Sequence, residues 1–520
     1  MDGSAESAAS RPVLILGAGI NGAALARELV VGGLPVVVVD TGDLARGATA
    51  YSSRLIHGGL RYLEYGEFDL VRESLAERTR LLRLAPQFVH PLQLHIPVGN
   101  RLGGLQHSLA RFFGRDRHGA QAADARAAPP RGLWLVRAGL WLYDLYARDS
   151  SLPRHRVSRL DGQASLPIDR ARYRWLCSYF DAQIRFPERF VVALFDDARR
   201  AAKTGGFQLF TYHRVELAGR TISIYAEENA SRPAMEFEPA AVINATGAWV
   251  DATLRQLHAS SPPLMGGTKG SHLITFHAGL RVALGDAGIY AEAADGRPVF
   301  ILPLGEAALV GTTDLPYLGD PADAVATDAE VDYLVAAVNQ VLPGVRLTRD
   351  DVEFHYCGVR PLPHANIDRP AAITRRHWLE EHTGSAVPLY SVIGGKLTTC
   401  RSLAELSART IRRRLGLTGD APTSRDRSVP GAEGYPSDRS SLEAAWRSLA
   451  ETHGWSVAQV RAIWQLRGTQ TGPILAELAP DDRASLQGVD LPVEFVRWVI
   501  GHEWVRRLDD LVERRLMLLY

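Results

Sequence analysis

Cysteine is scarce in this sequence. Only Cys177, Cys357 and Cys400 occur in 520 residues. None forms a C-x-x-C pair, which excludes a zinc knuckle and a dithiol redox motif and leaves buried thiols in a reducing compartment as the expectation. His90 and His95 are not spaced or accompanied like a zinc set, so no metal site is expected. Net charge is nearly absent, at +1 from 59 Lys and Arg against 58 Asp and Glu. No global field points to nucleic acid, and any basic surface must be local. No stretch reaches the ~18 uninterrupted apolar residues of a membrane span. Residues 1–11 lack the apolar core of a signal peptide, so a cytoplasmic protein is expected. No internal repeat or low-complexity tract is evident. With 46% hydrophobic and 22% charged residues, the chain reads as packed and globular, with about three domains.

Residues 12–40 read as strand, turn, helix, strand. Val13–Leu16 is a short apolar run suited to a buried parallel strand, Ala23–Val30 is helix-forming, and Val36–Val39 is a β-branched run ending at Asp40. Between them lies Gly17-x-Gly19-x-x-Gly22. The first glycine allows the tight turn, the second lets backbone approach a pyrophosphate, and the third permits close helix–strand packing; the helix N-terminus favours phosphate charge. Asp40 is placed to accept bonds from ribose hydroxyls. Two further turns favour FAD over NAD: Ala245-Thr246-Gly247 after an apolar strand, and Ile393-Gly394-Gly395-Lys396 before a helix start. Backbone N–H groups there suit a flavin carbonyl or phosphate.

Elsewhere, residues 41–65 suggest a loop and then a helix beginning near Ser52. Residues 67–84, 186–204 and 328–342 look helical, and 206–246 and 271–314 hold strands. Residues 416–437 are linker-like. Beyond them, Ser440…Glu443 and Ser456…Gln459 read as capping boxes that open helices.

Seven blocks resemble aerobic glycerol-3-phosphate dehydrogenase, a flavoprotein family: Gly17–Gly22, Ser52–Glu64, Asn244–Gly247, Lys269–His272, Gly311–Asp314, Gly358–Leu362 and Gly394–Thr399. They keep the family's order from about residue 12 to 407. The resemblance implies an α/β architecture: a glutathione-reductase-like FAD-binding Rossmann domain, a mixed-sheet substrate domain capping it, and a C-terminal α-helical domain at 438–520. The FAD parts would span about 12–85, 186–250 and 355–415, and the cap about 86–185 and 251–354. It further implies non-covalent FAD, oxidation of sn-glycerol 3-phosphate to dihydroxyacetone phosphate, electron transfer to membrane quinone, peripheral attachment on the cytoplasmic side of the inner membrane, and a homodimer as an open option. Cofactor contacts would come from Gly17, Gly19, Gly22, Asp40, Thr49, Ser52, Ser53, His57, Gly58, Gly59, Gly247, Gly394, Gly395, Lys396, Leu397 and Thr398. The sequence departs from the family pattern in four places. Asp40 stands where glutamate is usual, and Arg54 replaces the common lysine. Phe186-Pro-Glu-Arg189 replaces a more usual Asp-Ala-Arg, and residues 113–130 look longer.

Oxidising a phosphorylated secondary alcohol requires loss of the hydroxyl proton, a hydride acceptor and a hold on the phosphate dianion. Arginine forks match phosphate oxygens. Arg360, Arg61 and Lys396 are the candidates, with Tyr62, Thr312 and Asp314 beside the substrate and Thr313 shaping the pocket. His57 is the leading candidate for the base, with His272 and His355 as alternatives. For membrane contact, Leu102, Leu105, Leu109 and Phe112 fall on one helical stripe among arginines, and Trp134, Trp141, Tyr143 and Tyr146 follow. Three rival readings remain: an oxidase using oxygen, a flavin oxidoreductase of a 2-hydroxy acid or amine, and a non-catalytic FAD protein.

Overall fold

A computed structural model describes residues 10–101, 132–147, 151–160, 166–229, 231–364, 374–478 and 483–520. Six strands form the first sheet, in the order Trp378–His382, Leu389–Ile393, Ala241–Asn244, Val13–Leu16, Val36–Asp40, Phe207–Thr211. All neighbours are parallel except the edge strand Trp378–His382. The central strands carry unbroken apolar runs because both faces are covered. Val13, Ile15, Val36 and Val38 pack with the helices Ile20–Val31, Pro187–Ala201 and Cys400–Arg414. Leu14, Leu16, Val37 and Val39 face the small antiparallel sheet of Val215, Ile222 and Ile224.

Among the described residues, the second sheet has ten strands and is mixed. Ala287–Glu292 runs parallel to Val89–Val98, whereas its other pairings are antiparallel. One face packs Leu273, Ile301 and Val310 against Leu334 and Val338 of the helix Asp328–Val341. The other packs Leu94, Cys177 and Leu302 against Val71 and Leu75 of Phe68–Leu84 and Leu140 of Leu133–Ala147.

The helix expected near Ser52 does not form. Arg54 adopts φ 55°, Leu55–Ile56 instead pairs with Gln183 and Ala182, and the first helical turn is the 3-10 segment Leu60–Tyr65, entered through Gly59 at φ 76°. The linker-like residues 416–437 are irregular but strapped down. Arg27 donates to the carbonyls of Arg427 and Ser428, and Ser424 N donates to Glu28.

Helices Arg439–His453, Val457–Arg467, Thr471–Glu477 and Val493–His502 enclose a separate core of Trp455, Ile463, Phe495 and Val499. Ser456 and Gln459 form the expected capping box. Ser440 does not cap the preceding helix. Asp438 does, because its carboxylate accepts from Ser441 N and from both serine hydroxyls. Glu503 joins the helical core to the first sheet's helices. It accepts from Arg189 at 2.9 Å and from Arg467 at 2.9 Å, and all three side chains are buried. Burial opposes its charge, but Arg189 and Arg467 outweigh that and hold its pKa at about 2. Removing one partner of such a set leaves an uncompensated buried charge. Arg189→Ala should therefore cost about 3–5 kcal/mol in urea unfolding. A loss below about 1 kcal/mol would show that Arg467 alone suffices.

Candidate active site

Three glycine turns meet at one end of the first sheet. Gly17 N donates to Val39 O at 2.8 Å, and Ala245 N donates to Leu16 O at 2.8 Å. Gly17 takes φ 104°, and a Cβ there would lie 2.7 Å from Ala245 O. Gly22 sits where a Cβ would lie 2.0 Å from Gly17 O, so only glycine lets helix and strand touch. Ile20 N donates to Thr49 Oγ1 at 3.1 Å, which ties the next loop to the helix start. Asn21 reaches the third turn through Gly394 O at 3.4 Å. Asp40 accepts from Ala18 N at 2.6 Å and Gly42 N at 2.8 Å. A carboxylate has about four lone-pair sites, so capacity remains for hydroxyls. Burial raises the pKa of Asp40 against those two bonds.

These turns open on a cavity of about 1120 Å³, larger than the ~300–1,000 Å³ of an ordinary small-molecule site. Gly17, Gly19, Asp40, Thr49, Ser52, Ser53, His57 and Gly59 line it, as do Gly247 and Gly394 to Thr398. Of the residues named from sequence as cofactor contacts, Gly22 and Gly58 stand behind the wall. Gly58 packs against Leu75 and Tyr143, and its N–H is held by Tyr143 Oη at 2.9 Å and Asp181 at 3.2 Å. Tyr143, named from sequence as a membrane aromatic, is thus buried instead.

At the other end of the cavity the second sheet delivers cations. Arg360 closes the strand Phe354–Arg360 and donates to Thr312 Oγ1 at 2.7 Å, Thr313 O at 2.9 Å and Asp314 at 3.1 Å. Arg375 approaches the other Asp314 oxygen at 3.7 Å. Lys396 Nζ lies buried 4.0 Å from the centre of the Tyr62 ring, with Tyr62 its one close partner among the described residues and no well-aligned acceptor there. Burial lowers the Lys396 pKa, and Arg375 adds to this. Burial alone would raise the Tyr62 pKa; Lys396, Arg375 and Arg61 outweigh it and lower it. Tyr62, Thr312, Asp314, Arg61, Arg360, Arg375 and Lys396 all line the cavity.

Both inner histidines are held neutral. Burial, helped by Lys396 and opposed by Asp181, lowers His57 to about 4. Burial, then Arg360 and Arg54, lower His272 to about 3. His272 Nε2 bonds Ser53 Oγ at 2.8 Å, and its ring stacks on Tyr356. His355 also lines the cavity but is exposed.

The family pattern described as FAD dependent oxidoreductase matches residues 12–401. A glycerol-3-phosphate dehydrogenase of Synechocystis sp. is 34% identical over 97% of this chain and 88% of its own length. The aerobic glycerol-3-phosphate dehydrogenase of Escherichia coli is 31% identical over 97% and 93%. D-erythritol 1-phosphate dehydrogenase of Brucella abortus is 32% identical over 97% and 93%. The solved glycerol-3-phosphate dehydrogenase of Bacillus halodurans, complexed with FAD, superposes with a TM-score of 0.70 at 21% identity, covering 100% of this chain and 88% of that one. The chain belongs to the FAD-dependent glycerol-3-phosphate dehydrogenase family.

The cavity of this family member fits FAD on its own chemistry. A glycine-walled helix start suits a pyrophosphate, Asp40 suits a ribose, and the orphaned Lys396 ammonium suits an electron-rich partner. Two segments marked in the sequence as unlike the family pattern meet in the fold. Arg54 makes a two-pronged pair with Glu188, NH2 to Oε1 at 2.7 Å and NH1 to Oε2 at 3.1 Å, with both side chains buried. A lysine cannot form that fork. Sequence reasoning missed this pair, and it missed Arg375, which lies in no glycine-bearing motif.

Gly22→Ala should destroy FAD retention, read as the flavin-to-protein absorbance ratio after gel filtration. Gly501→Ala, where nothing lies within 4 Å of the new Cβ in the helix Val493–His502, should keep full flavin and gain up to about 1 kcal/mol. Equal flavin content in the two variants would refute the helix–strand contact as the cofactor determinant.

Proposed function

We propose that this protein oxidises sn-glycerol 3-phosphate to dihydroxyacetone phosphate and passes the electrons to membrane quinone. The observation that carries the reading is the convergence of Arg61, Arg360, Arg375 and Lys396 on one end of the cavity that the glycine turns open. Arg360 and Arg375 flank Asp314, and Lys396, Arg375 and Arg61 act together on Tyr62, an excess of positive charge that suits a dianion rather than a neutral polyol. Arg360 offers a fork already oriented by Thr312, Thr313 O and Asp314, so little ordering is left to do when phosphate binds. Bound FAD supplies the hydride acceptor. His57, with His272 as the alternative, stands in the deprotonated form that a base requires at neutral pH, while the burial that lowers each pKa also weakens it as a proton acceptor. Lys396, which lines the same cavity, would supply positive charge to the flavin as it is reduced.

A second substrate reading, D-erythritol 1-phosphate, draws support from the Brucella abortus relative of equal similarity. Both substrates present the same phosphate to the same cations and differ only in the length of the polyol. Anaerobic addition of glycerol 3-phosphate should bleach the flavin near 450 nm, whereas glycerol and lactate should not. Arg360→Ala should lower kcat/KM about 100-fold, the scale of losing charge-assisted bonds to phosphate. Faster bleaching by D-erythritol 1-phosphate would favour the second reading, and bleaching by lactate would sink both.

No helix among the described residues is long and apolar enough to cross a membrane. The stripe Leu102–Phe112 lies outside the described residues. On Leu133–Ala147, however, Leu133, Val136, Leu140 and Tyr143 turn inward, whereas Trp134, Trp141 and Leu145 are 51%, 62% and 53% exposed. Their spacing places them on one side of the helix, a face suited to the lipid headgroup region on the cytoplasmic side. Trp134→Glu with Trp141→Glu should move the protein from the membrane pellet to the supernatant with its flavin retained. Persistent pelleting would assign attachment elsewhere.

A further inference from the structure

One set of buried charges has no part in substrate chemistry: those that tie residues 509–520 to the first sheet. Asp43 follows the Asp40 strand by three residues and is fully buried. Its carboxylate accepts from Arg514 Nε at 2.6 Å and from Arg515 at 2.6 and 2.8 Å. Two guanidinium groups therefore share one buried carboxylate. On the other side of Asp40, the neighbouring strand Phe207–Thr211 leads into Tyr212, whose hydroxyl donates to the buried Asp510. Asp510 also pairs with Arg514 at 3.0 Å. The segment is thus fastened both to the loop after Asp40 and to the strand beside it, around the residue that would accept from a ribose.

From this anchor the chain runs along the cavity. Glu513, Arg514, Leu519 and Tyr520 line it, whereas Leu516 and Met517 are buried in the helical core. The Tyr520 ring sits 4.1 Å from the Arg54 guanidinium and meets Phe354 edge-on, 5.7 Å between centres. Arg54 belongs to the loop that carries Ser52 and Ser53, two more cavity residues. Tyr356, next to Phe354 but one in sequence, donates to Ser52 O at 2.9 Å. Tyr520 therefore braces the cavity loop at Arg54 while Arg514 holds the loop that follows Asp40.

We propose that residues 509–520 form a clasp that retains FAD, with Arg514 and Tyr520 as positioning residues for the cofactor wall. The proposal rests on FAD as the occupant of this cavity and is independent of the substrate. Cation–π stacking on a desolvated arginine and charge-assisted bonds to Asp43 are both interactions of useful strength in a buried setting. Loss of the Arg514 or Tyr520 side chain loosens a wall of the cavity, while Leu511, Leu516 and Met517 keep the segment packed in the helical core. The segment thus affects how fast the cofactor leaves more than whether the domain folds.

The test uses the FAD-loaded full chain. Flavin release after dilution is followed by the rise of free-flavin fluorescence. The midpoints of flavin release and of unfolding by circular dichroism are compared on heating. Tyr520→Ala and, separately, Arg514→Gln should speed release about tenfold or more, with flavin leaving at a lower temperature than the fold melts. Tyr520→Phe keeps the ring over Arg54 and should release flavin close to the wild-type rate. Release within about twofold of wild type in both Tyr520→Ala and Arg514→Gln overturns the clasp. So does a fall of both midpoints together, which marks a merely structural segment. A wild-type protein that neither carries nor binds FAD overturns the cofactor assignment and the clasp with it, whereas a flavin-bearing wild type confines any failure to the clasp.

Discussion

Everything at the cofactor end depends on the register of four parallel strands. Leu16 pairs with Val39 on one side and with Asn244 on the other, and Asn244 in turn pairs with Ser391. Parallel strands in register finish together, so the turns after them must share one end of the sheet. That places Gly17, Asp40, Gly247 and Gly394 around one space although more than 370 residues separate the first from the last. A slip of one residue would turn every side chain to the opposite face and exchange the helix-facing set, Val13 and Ile15, for the set facing the small sheet. The apolar cores on both faces therefore fix the register, and the register assembles the site.

The substrate end obeys a different constraint. Arg360 reaches the cavity because its strand pairs with Thr268–Thr275, with Thr268 opposite Arg360. It lies so close to the neighbouring strand that a Cβ on Gly270 would fall 2.0 Å from its guanidinium. Asp314, just past Ala307–Gly311, then sits between Arg360 and Arg375. A single carboxylate relieves repulsion between the two arginines without neutralising the group. The pocket keeps an excess of positive charge, and a low-dielectric wall strengthens its pull on a dianion.

The local parts of this arrangement were legible in the sequence. Gly17, Gly19 and Gly22 report strand, turn and helix within ten residues, and the Val36–Val39 run with Asp40 completes the unit. The turns at Gly247 and Gly394 could be read for the same reason: each follows a short apolar run. What escaped was carried by contacts distant in sequence. Arg54 and Glu188 are 134 residues apart, and each looks like an isolated departure until the fork between them is seen. Arg375 has no glycine neighbour to advertise it. Ser52 to Ile56 looked helical because local pattern says nothing of the strand at Trp175–Ile184 waiting to pair with it. Ser440 reads as a cap from its spacing to Glu443, but Asp438 takes that place, because only the backbone decides which residue precedes the first turn.

Lys396 shows how this site is paid for. An ammonium group buried without an acceptor carries a penalty of several kcal/mol, and the face of Tyr62 returns only ~1–2 of it. The lowered pKa of Lys396 is the same penalty seen from the proton's side. Folding alone gives no reason to keep such a group between two glycines and a buried helix start. An electron-rich occupant does, because it meets a donor that is already desolvated and fixed in place. Ligand binding at Lys396 would then add to the stability of the fold, as expected for anything that binds the native state alone.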